Sequence, residues 1–403
     1  MTKCFPIEPG RVSIPIRRES GPMKHVLYAV LAAAATVGGC AAGNASQKEN
    51  SMDTVKVTHL RLDQKRPGRY ARSFLMPDRT INVLGVFRVT NRGTKVDFFE
   101  GASTAVPPAG AVESKMNSFF WRKDLFLALH GGVKLIGDHK YTGTIWRSTD
   151  KLKTITQEET TVILPEAGKV DFGKPGQWAG LIFHRGILEL KDGSLMAAMY
   201  GNFEDDKAPP THPWSAMETV HKMRAFAVRS EDEGRTWRYL ASVAVPDQDT
   251  IDDTEGFNEW TMTRLEDGRI LGIVRTGHFT PMVAVWSSDE GRTWTEPVVP
   301  EGLEPAGCDP CLLTLIDGRV ALAYGELFPV PKDSPEYVKG FHERKDTRRR
   351  CLLAIADDKI GQKWHTIEVA GYDDRSAYAT IFEVMQNTLV YQSDLGLWRV
   401  EIP

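Results

Sequence analysis

The sequence has little cysteine, no excess of either charge sign and only one long apolar run. Five cysteines in 403 residues exclude a disulfide-built scaffold. Fifty basic residues stand against 53 acidic ones, a formal net charge of −3 that argues against nucleic acid as the main partner. At 41% apolar residues the chain is too hydrophobic to be disordered, and one apolar run is too few for a multi-span membrane protein. Beyond Val55 no stretch of 12 or more residues keeps a helical apolar period. There is no phosphate-binding loop, dinucleotide fingerprint, HExxH or GxSxG, so no cofactor is expected and no metal site is assigned.

The one apolar run, His25 to Cys40 (HVLYAVLAAAATVGGC), is short for a membrane span and ends in small residues, as a secretory signal does. Met23-Lys24 before it reads as the true start, with residues 1–22 a mis-called extension. Val37-Gly38-Gly39-Cys40 resembles the lipobox of bacterial lipoproteins, which implies lipidation of Cys40 and, with Ala41 following, sorting to the outer membrane. The alternative is an ordinary signal peptide cut near Gly39. Residues 1–39 are therefore expected to be extension plus leader, 40–54 a small, polar tether, and 55–403 the working domain in the cell envelope.

That domain is written in short apolar strands separated by turns. GILELKDGSLMAAMYG (186–201), EWTMTRLEDGRILGIVRTG (259–277) and CLLTLIDGRVALAYGE (311–326) each read as strand, Asp-Gly turn, strand. An Asp-Gly pair suits the two positive-φ positions of a tight hairpin. Weaker copies place further turns at positions 93, 131 and 387, making six hairpins with those at 193, 268 and 318. A second repeat, S-x-D-x-G-x-T-W, occurs at Ser230–Trp237 and Ser287–Trp294, with degenerate copies at 147–154 and 356–364. Its Asp can accept turn N–H groups, its Gly allows positive φ, and its Trp can fill the space between sheets. Six units of roughly 58 residues, each room for four short strands, predict one all-β domain, a six-bladed β-propeller.

The repeated motif is the Asp box, and with six hairpins the chain resembles the sialidase superfamily of BNR-repeat propellers. The box itself is structural, so function has to come from the mouth of the propeller. Asn258-Glu259 opens a segment ending at Arg275, sixteen residues after Glu259, which resembles the family segment pairing a Glu that assists the nucleophile with an Arg that grips the substrate carboxylate. Such a gap across a hairpin brings both side chains to one end of paired strands. Arg348 stands eight residues before Ala356, the Ser position of the last box, and resembles a second carboxylate-binding Arg; Arg349 or Arg350 would serve after a register slip. Tyr378, ahead of the last hairpin, resembles the Tyr nucleophile, which can pass its proton to Glu259.

Two family features lack a match. Val83 stands where the first-blade Arg is expected, with Arg88 reachable only by a deletion, and 102–115 offers no counterpart of the acid/base Asp. In their place the third hairpin starts with His184-Arg185. His184 could act as general acid and Arg185 as an anion contact. His184 with Tyr378 would equally suit a lyase that abstracts the C5 proton of a uronic acid. Asp309, in the CxxC turn Cys308–Cys311, is taken as a substrate contact. A disulfide from that pair to Cys351 and three unpaired thiols both remain open. The expected partner is a glycan or polysaccharide, with the membrane reached through the lipid. The expected activity is exo-acting hydrolysis of a terminal acidic sugar, the alternatives being a uronate lyase and a non-catalytic glycan-binding propeller.

Overall fold

The computed structural model describes the chain from residue 55 onwards, apart from 60–72, 76–79, 84–86, 93–94, 101–115, 151–153, 166–180, 210–220, 252–253, 278–279, 330–346, 374–377 and 394–395. All described residues belong to the compact unit Glu49–Pro403. The leader, the lipobox with Cys40 and the tether lie outside them, as does 102–115. Among the described residues no helix is long and apolar enough to cross a membrane.

The architecture is all-β. After β1 (Lys56–His59), a first antiparallel sheet runs β2 (Ser73–Leu75), β3 (Thr80–Val83), β4 (Phe87–Arg92), β5 (Lys95–Glu100). The second unit is β6 (Met116–Arg122), β7 (Leu125–His130), β9 (Lys140–Ser148) and β10 (Thr156–Ile163), with short β8 (Lys134–Gly137) beside β9. The third is β11 (Ile182–Glu189), β12 (Leu195–Gly201), β13 (Arg224–Ser230) and β14 (Thr236–Ala244). The second and third units share one sheet because β10 and β14 pair in parallel, Thr161 opposite Thr236. The fourth holds β15 (Asn258–Arg264), β16 (Ile270–Arg275) and β17 (Val283–Ser287), with Val298 bridged to Ala284 on the outer side. The fifth holds β18 (Ala306–Thr314), β19 (Val320–Pro329), β20 (Thr347–Ala356) and β21 (His365–Asp373). The last is β22 (Thr380–Met385), β23 (Thr388–Ser393) and β24 (Gly396–Glu401), completed by β1 against β24. The grouping is compatible with six blades, and the pairing of β1 with the last sheet joins the two ends of the described domain.

The first strands of successive units pack on one another, β6 on β11, β11 on β15, β15 on β18, β18 on β22 and β22 on β2, as the inner strands of a propeller do. The cores lie between sheets. Trp237 of the first full Asp box is wholly buried among Leu127, Tyr141 and Phe183, residues of the second and third units. Trp364 is buried with Leu271 and Leu322, of the fourth and fifth. A sheet with one apolar face against each neighbour needs such a plug, and truncating a buried Trp costs about 3–5 kcal/mol.

The boxes have the expected chemistry. Ser287 Oγ donates to Asp289 Oδ1 (2.9 Å) and accepts from Gly291 N–H (2.9 Å), while Asp289 also accepts from the N–H and hydroxyl of Thr293. Ser230, Asp232, Gly234 and Thr236 repeat this pattern. Burial pushes the Asp289 carboxyl up, but the Thr293 and Ser287 donors outweigh it and hold it below the ordinary carboxylate range.

Two turn expectations need correction. Position 131 is not a hairpin turn: β7 pairs with β6 and β9, and the reversal before it is Lys123-Asp124. Alternating apolar residues on both sides of Gly131 mimic a hairpin, although the following strand, β8, pairs only with β9. The Asp-Gly turns are also not two-residue turns. Gly193, Gly268 and Gly318 have positive φ but the preceding Asp residues do not. Gly268 N–H bonds Leu265 O and Leu265 N–H bonds Arg269 O, a type I turn closed by a left-handed glycine. Asp267 instead uses its carboxylate on Arg269 N–H, a bond the shorter turn would not need.

Candidate functional site

The inner strands are irregular near their starts. Pairing slips between Met116 and Ser118 on β6, Phe183 and Ile187 on β11, Asn258 and Thr261 on β15, and twice between Ala306 and Cys311 on β18. Bulges bend a strand and re-aim its side chains, and they gather at barrel rims and active sites. Three of these slips hold sequence-predicted residues: His184-Arg185, Glu259 and Asp309. Repetition at equivalent places on neighbouring inner strands defines one end of the propeller as the candidate mouth.

Glu259 sits in its bulge at φ 24°, and among the described residues it is the one non-glycine with positive φ inside a strand; the others lie in turns. Strain of this kind persists where the surroundings hold it. Here the holding group is Arg275, at the end of β16 directly opposite Asn258, as the sixteen-residue gap predicts. Arg275 Nε stands 3.9 Å from Glu259 Oε2. Its Nη1 donates to Glu255 Oε2 (2.9 Å) and to Asn258 Oδ1 (2.7 Å), while Asn258 Nδ2 donates to the same Glu255 oxygen (3.1 Å). Burial works against the Arg275 charge, but the carboxylates of Glu255 and Glu259 overcome it and hold the guanidinium protonated above its ordinary value.

His184 and Arg185 are buried. His184 Nδ1 lies 3.0 Å from Trp260 O, beside Glu259, and its ring meets Tyr200 edge-on at 5.6 Å. A carbonyl only accepts, so Nδ1 carries a hydrogen in this contact. Arg185 Nη1 donates to Thr380 Oγ1 (3.1 Å), two residues after Tyr378, which is half-buried. One bond thus joins the third unit to the sixth, across 195 residues of sequence. His184, Arg185, Glu259 and Arg275 therefore form a linked set that reaches the segment of Tyr378. Asp309 lies in the irregular part of β18 and Arg348 on β20 opposite Phe328; their side chains are outside the described residues. Arg350 is bound to the buried Glu326 and, at 3.3 Å, to Glu368. Cys308, Cys311 and Cys351 are not joined by a disulfide; Cys308 and Cys351 are buried, the Cys351 thiol donating to Ser393 Oγ (3.2 Å), and Cys311 is half-buried, so the open disulfide question resolves to thiols in this structure. Among the described residues no group of His, Cys, Asp and Glu could hold a metal ion.

Sequence reasoning passed over Glu255 and the role of Asn258. The signal was present: Glu255-Gly256 stands three residues before the Asn-Glu pair. Gly256 has φ 82°, and a Cβ there would meet Met223 N at 2.4 Å, so the chain must turn tightly at this point.

Asp boxes on antiparallel sheets whose first strands pack in sequence define a BNR-repeat β-propeller. The chain belongs to the BNR repeat-like domain family, whose model matches residues 116–384, and the Asp-box resemblance is thereby borne out. A protein of unknown function from Dyadobacter fermentans DSM 18053 shares the fold, at 17% identity over 87% of this chain and 99% of that one, with a TM-score of 0.56. Lower likenesses include the Hadza microbial sialidase Hz136 (14% identity, 83% and 65% covered, TM-score 0.49). The GH93 α-L-arabinofuranosidase of Fusarium graminearum in complex with arabinobiose is another (14%, 71% and 77%, TM-score 0.46). No curated protein matches the chain.

Proposed function

We propose that this protein is a glycoside hydrolase that removes a terminal acidic sugar from a glycan, exported and held at the cell envelope through a lipid on Cys40. The observation that carries the reading is Glu259, a strained carboxylate on a bulged inner strand, ion-paired to Arg275 and linked through His184-Arg185 to the segment of Tyr378. Tyr378 Oη would attack the anomeric carbon as its proton passes to Glu259, and the leaving oxygen would take a proton from His184 protonated at Nε2. Water then attacks the anomeric carbon, giving a proton to the now neutral His184, and the departing Tyr378 phenolate takes its proton back from Glu259. Arg185 and Arg348 are the candidates to meet the sugar's carboxylate. The test is release of free sugar from a panel of acidic glycans. Wild type should be active, while Tyr378→Phe and Glu259→Gln should each lose about 100-fold or more in kcat with the fold intact by circular dichroism. Full activity in Tyr378→Phe would sink the mechanism.

One observation favours a second reading. With Nδ1 donating to Trp260 O, Nε2 is the ring nitrogen that would take up a proton, as a uronate lyase requires of its base. A product absorbing in the ultraviolet, from a new carbon–carbon double bond, would select that reading; saturated products exclude it.

A further inference from the structure

The acidic-sugar reading inherits from family resemblance the idea that Arg275 grips a substrate carboxylate, and the geometry at Arg275 argues otherwise. One face of its guanidinium is already closed by protein. Glu255 and Asn258 share Nη1, and they bond each other, so the three side chains form a hydrogen-bonded triangle. The ion pair is almost wholly enclosed, at 5% exposure for the Arg275 side chain and 6% for Glu255. Glu255 in turn has no freedom to leave. Its N–H bonds Thr276 O, and its carbonyl accepts from Met223 N–H on the third unit. Gly277 packs against it, since a Cβ there would stand 3.2 Å from Glu255 N and 3.4 Å from Glu255 Cγ. Glu259 is a second carboxylate beside Arg275 in this network. A cation flanked by two carboxylates is electrostatically a poor receptor for a third.

We propose that Glu255 is a positioning residue that clamps Arg275 within the protein's own charge network, so that Arg275 orients Glu259 in its bulge and does not bind the substrate's carboxylate. Glu255 thereby acts on the reaction through two intervening side chains. The inference rests on the hydrolase reading for its kinetic arm only; its binding arm stands without turnover.

Glucuronic acid and N-acetylneuraminic acid, each beside its carboxyl-reduced alcohol, serve as probes by saturation-transfer NMR on the full chain. The double variant Glu255→Gln/Arg275→Gln removes the enclosed ion pair together, so neither of its two charges is left buried alone, and only the half-buried Glu259 loses its more distant partner. Its acid-to-alcohol affinity ratio is expected within about twofold of wild type, because a group that never touches the acid contributes nothing to the difference. A loss of preference for the acid of about tenfold or more overturns the proposal, since it makes Arg275 an anion receptor. A wild-type ratio near one agrees with the proposal and retires the acidic sugar instead. On any glycan the wild type turns over, Glu255→Gln should lower kcat by about tenfold with KM within about twofold. A raised KM at unchanged kcat would overturn the clamp.

Discussion

The two ends of the sheets are built differently. At the hairpin end, neighbouring units are laced by ion pairs that repeat from blade to blade. Arg122 reaches Glu189 (2.8 Å) between the second and third units, Lys191 reaches Glu290 (3.5 Å) between the third and fourth, and Lys359 reaches Glu266 (2.9 Å) between the fifth and fourth. Arg319 continues the pattern to Asn387 and to the carbonyl of Pro403 in the last sheet. These groups are half-exposed or exposed, and each sits beside a turn whose residues follow a local rule. At the mouth end, the strands slip register, most of the described charges are enclosed, and the bulges carry different residues from blade to blade: His184-Arg185 on the third unit, Glu259 on the fourth and Asp309 on the fifth. The repeated end specifies the fold, and the irregular end departs from the repeat wherever chemistry is proposed.

The comparison predicts that charge removal hurts most at the mouth. Glu255→Ala leaves Arg275 buried without its closest carboxylate, and unfolding in urea should show a loss of about 3–5 kcal/mol. A loss below about 1 kcal/mol, the range of surface pairs, would erase the distinction between the two ends.

A smaller effect, with a pH signature, is expected at Glu290. The Arg264 guanidinium holds it bidentately, at 2.8 and 2.9 Å, with Lys191 N–H as a further donor. Those bonds outweigh its burial and pull the carboxyl from 4.5 down to about 2. A depressed folded-state pKa stabilises the fold fully above the unfolded value and loses that contribution as pH falls through the folded one. Stability should therefore decline between about pH 4.5 and 2. Glu290→Gln should cost about 1.5–3 kcal/mol at pH 7, and the gap to wild type should close near pH 2. A gap that stays constant from pH 7 to 2 would assign the loss to packing.

How much of this could be read in advance follows the same division. Both full Asp boxes, the hairpins closed at Gly193, Gly268, Gly318 and Asn387, and the opposition of Glu259 and Arg275 were legible, because each depends on residues close in sequence or across one hairpin. The turn geometry was misjudged because Asp-Gly fits two kinds of hairpin, and only the Asp267 bond to Arg269 N–H separates them. Gly131 was misplaced because apolar alternation does not say which strand a neighbour pairs with. Glu255 was missed for a different reason. Its partners are brought to it by the bulge at Asn258–Thr261 and by the bridge from Gly256 to Met223, and both belong to the packed propeller. The link from Arg185 to Thr380 is likewise visible only once the third and sixth units share an axis.

The smallest expected effect lies at the hairpin end. Lys359 and Glu266 bridge two units at 2.9 Å, yet their side chains are 46% and 64% exposed. Water screens the attraction, and ordering two long side chains offsets most of what remains. Glu266→Gln should therefore change urea stability by about 0.5 kcal/mol or less. What little effect there is should vanish at about 1 M salt, where the screening length falls to roughly 3 Å. The carboxamide keeps the shape of the side chain, and a Cβ at Gly318 would lie 2.5 Å from Glu266 Oε2, so local crowding is unchanged by the substitution. A loss comparable to that of Glu255→Ala, or one that persists in salt, would mean that the hairpin ends hold the blades together by charge. The inter-sheet cores around Trp237 and Trp364 would then matter less to the fold than their burial implies.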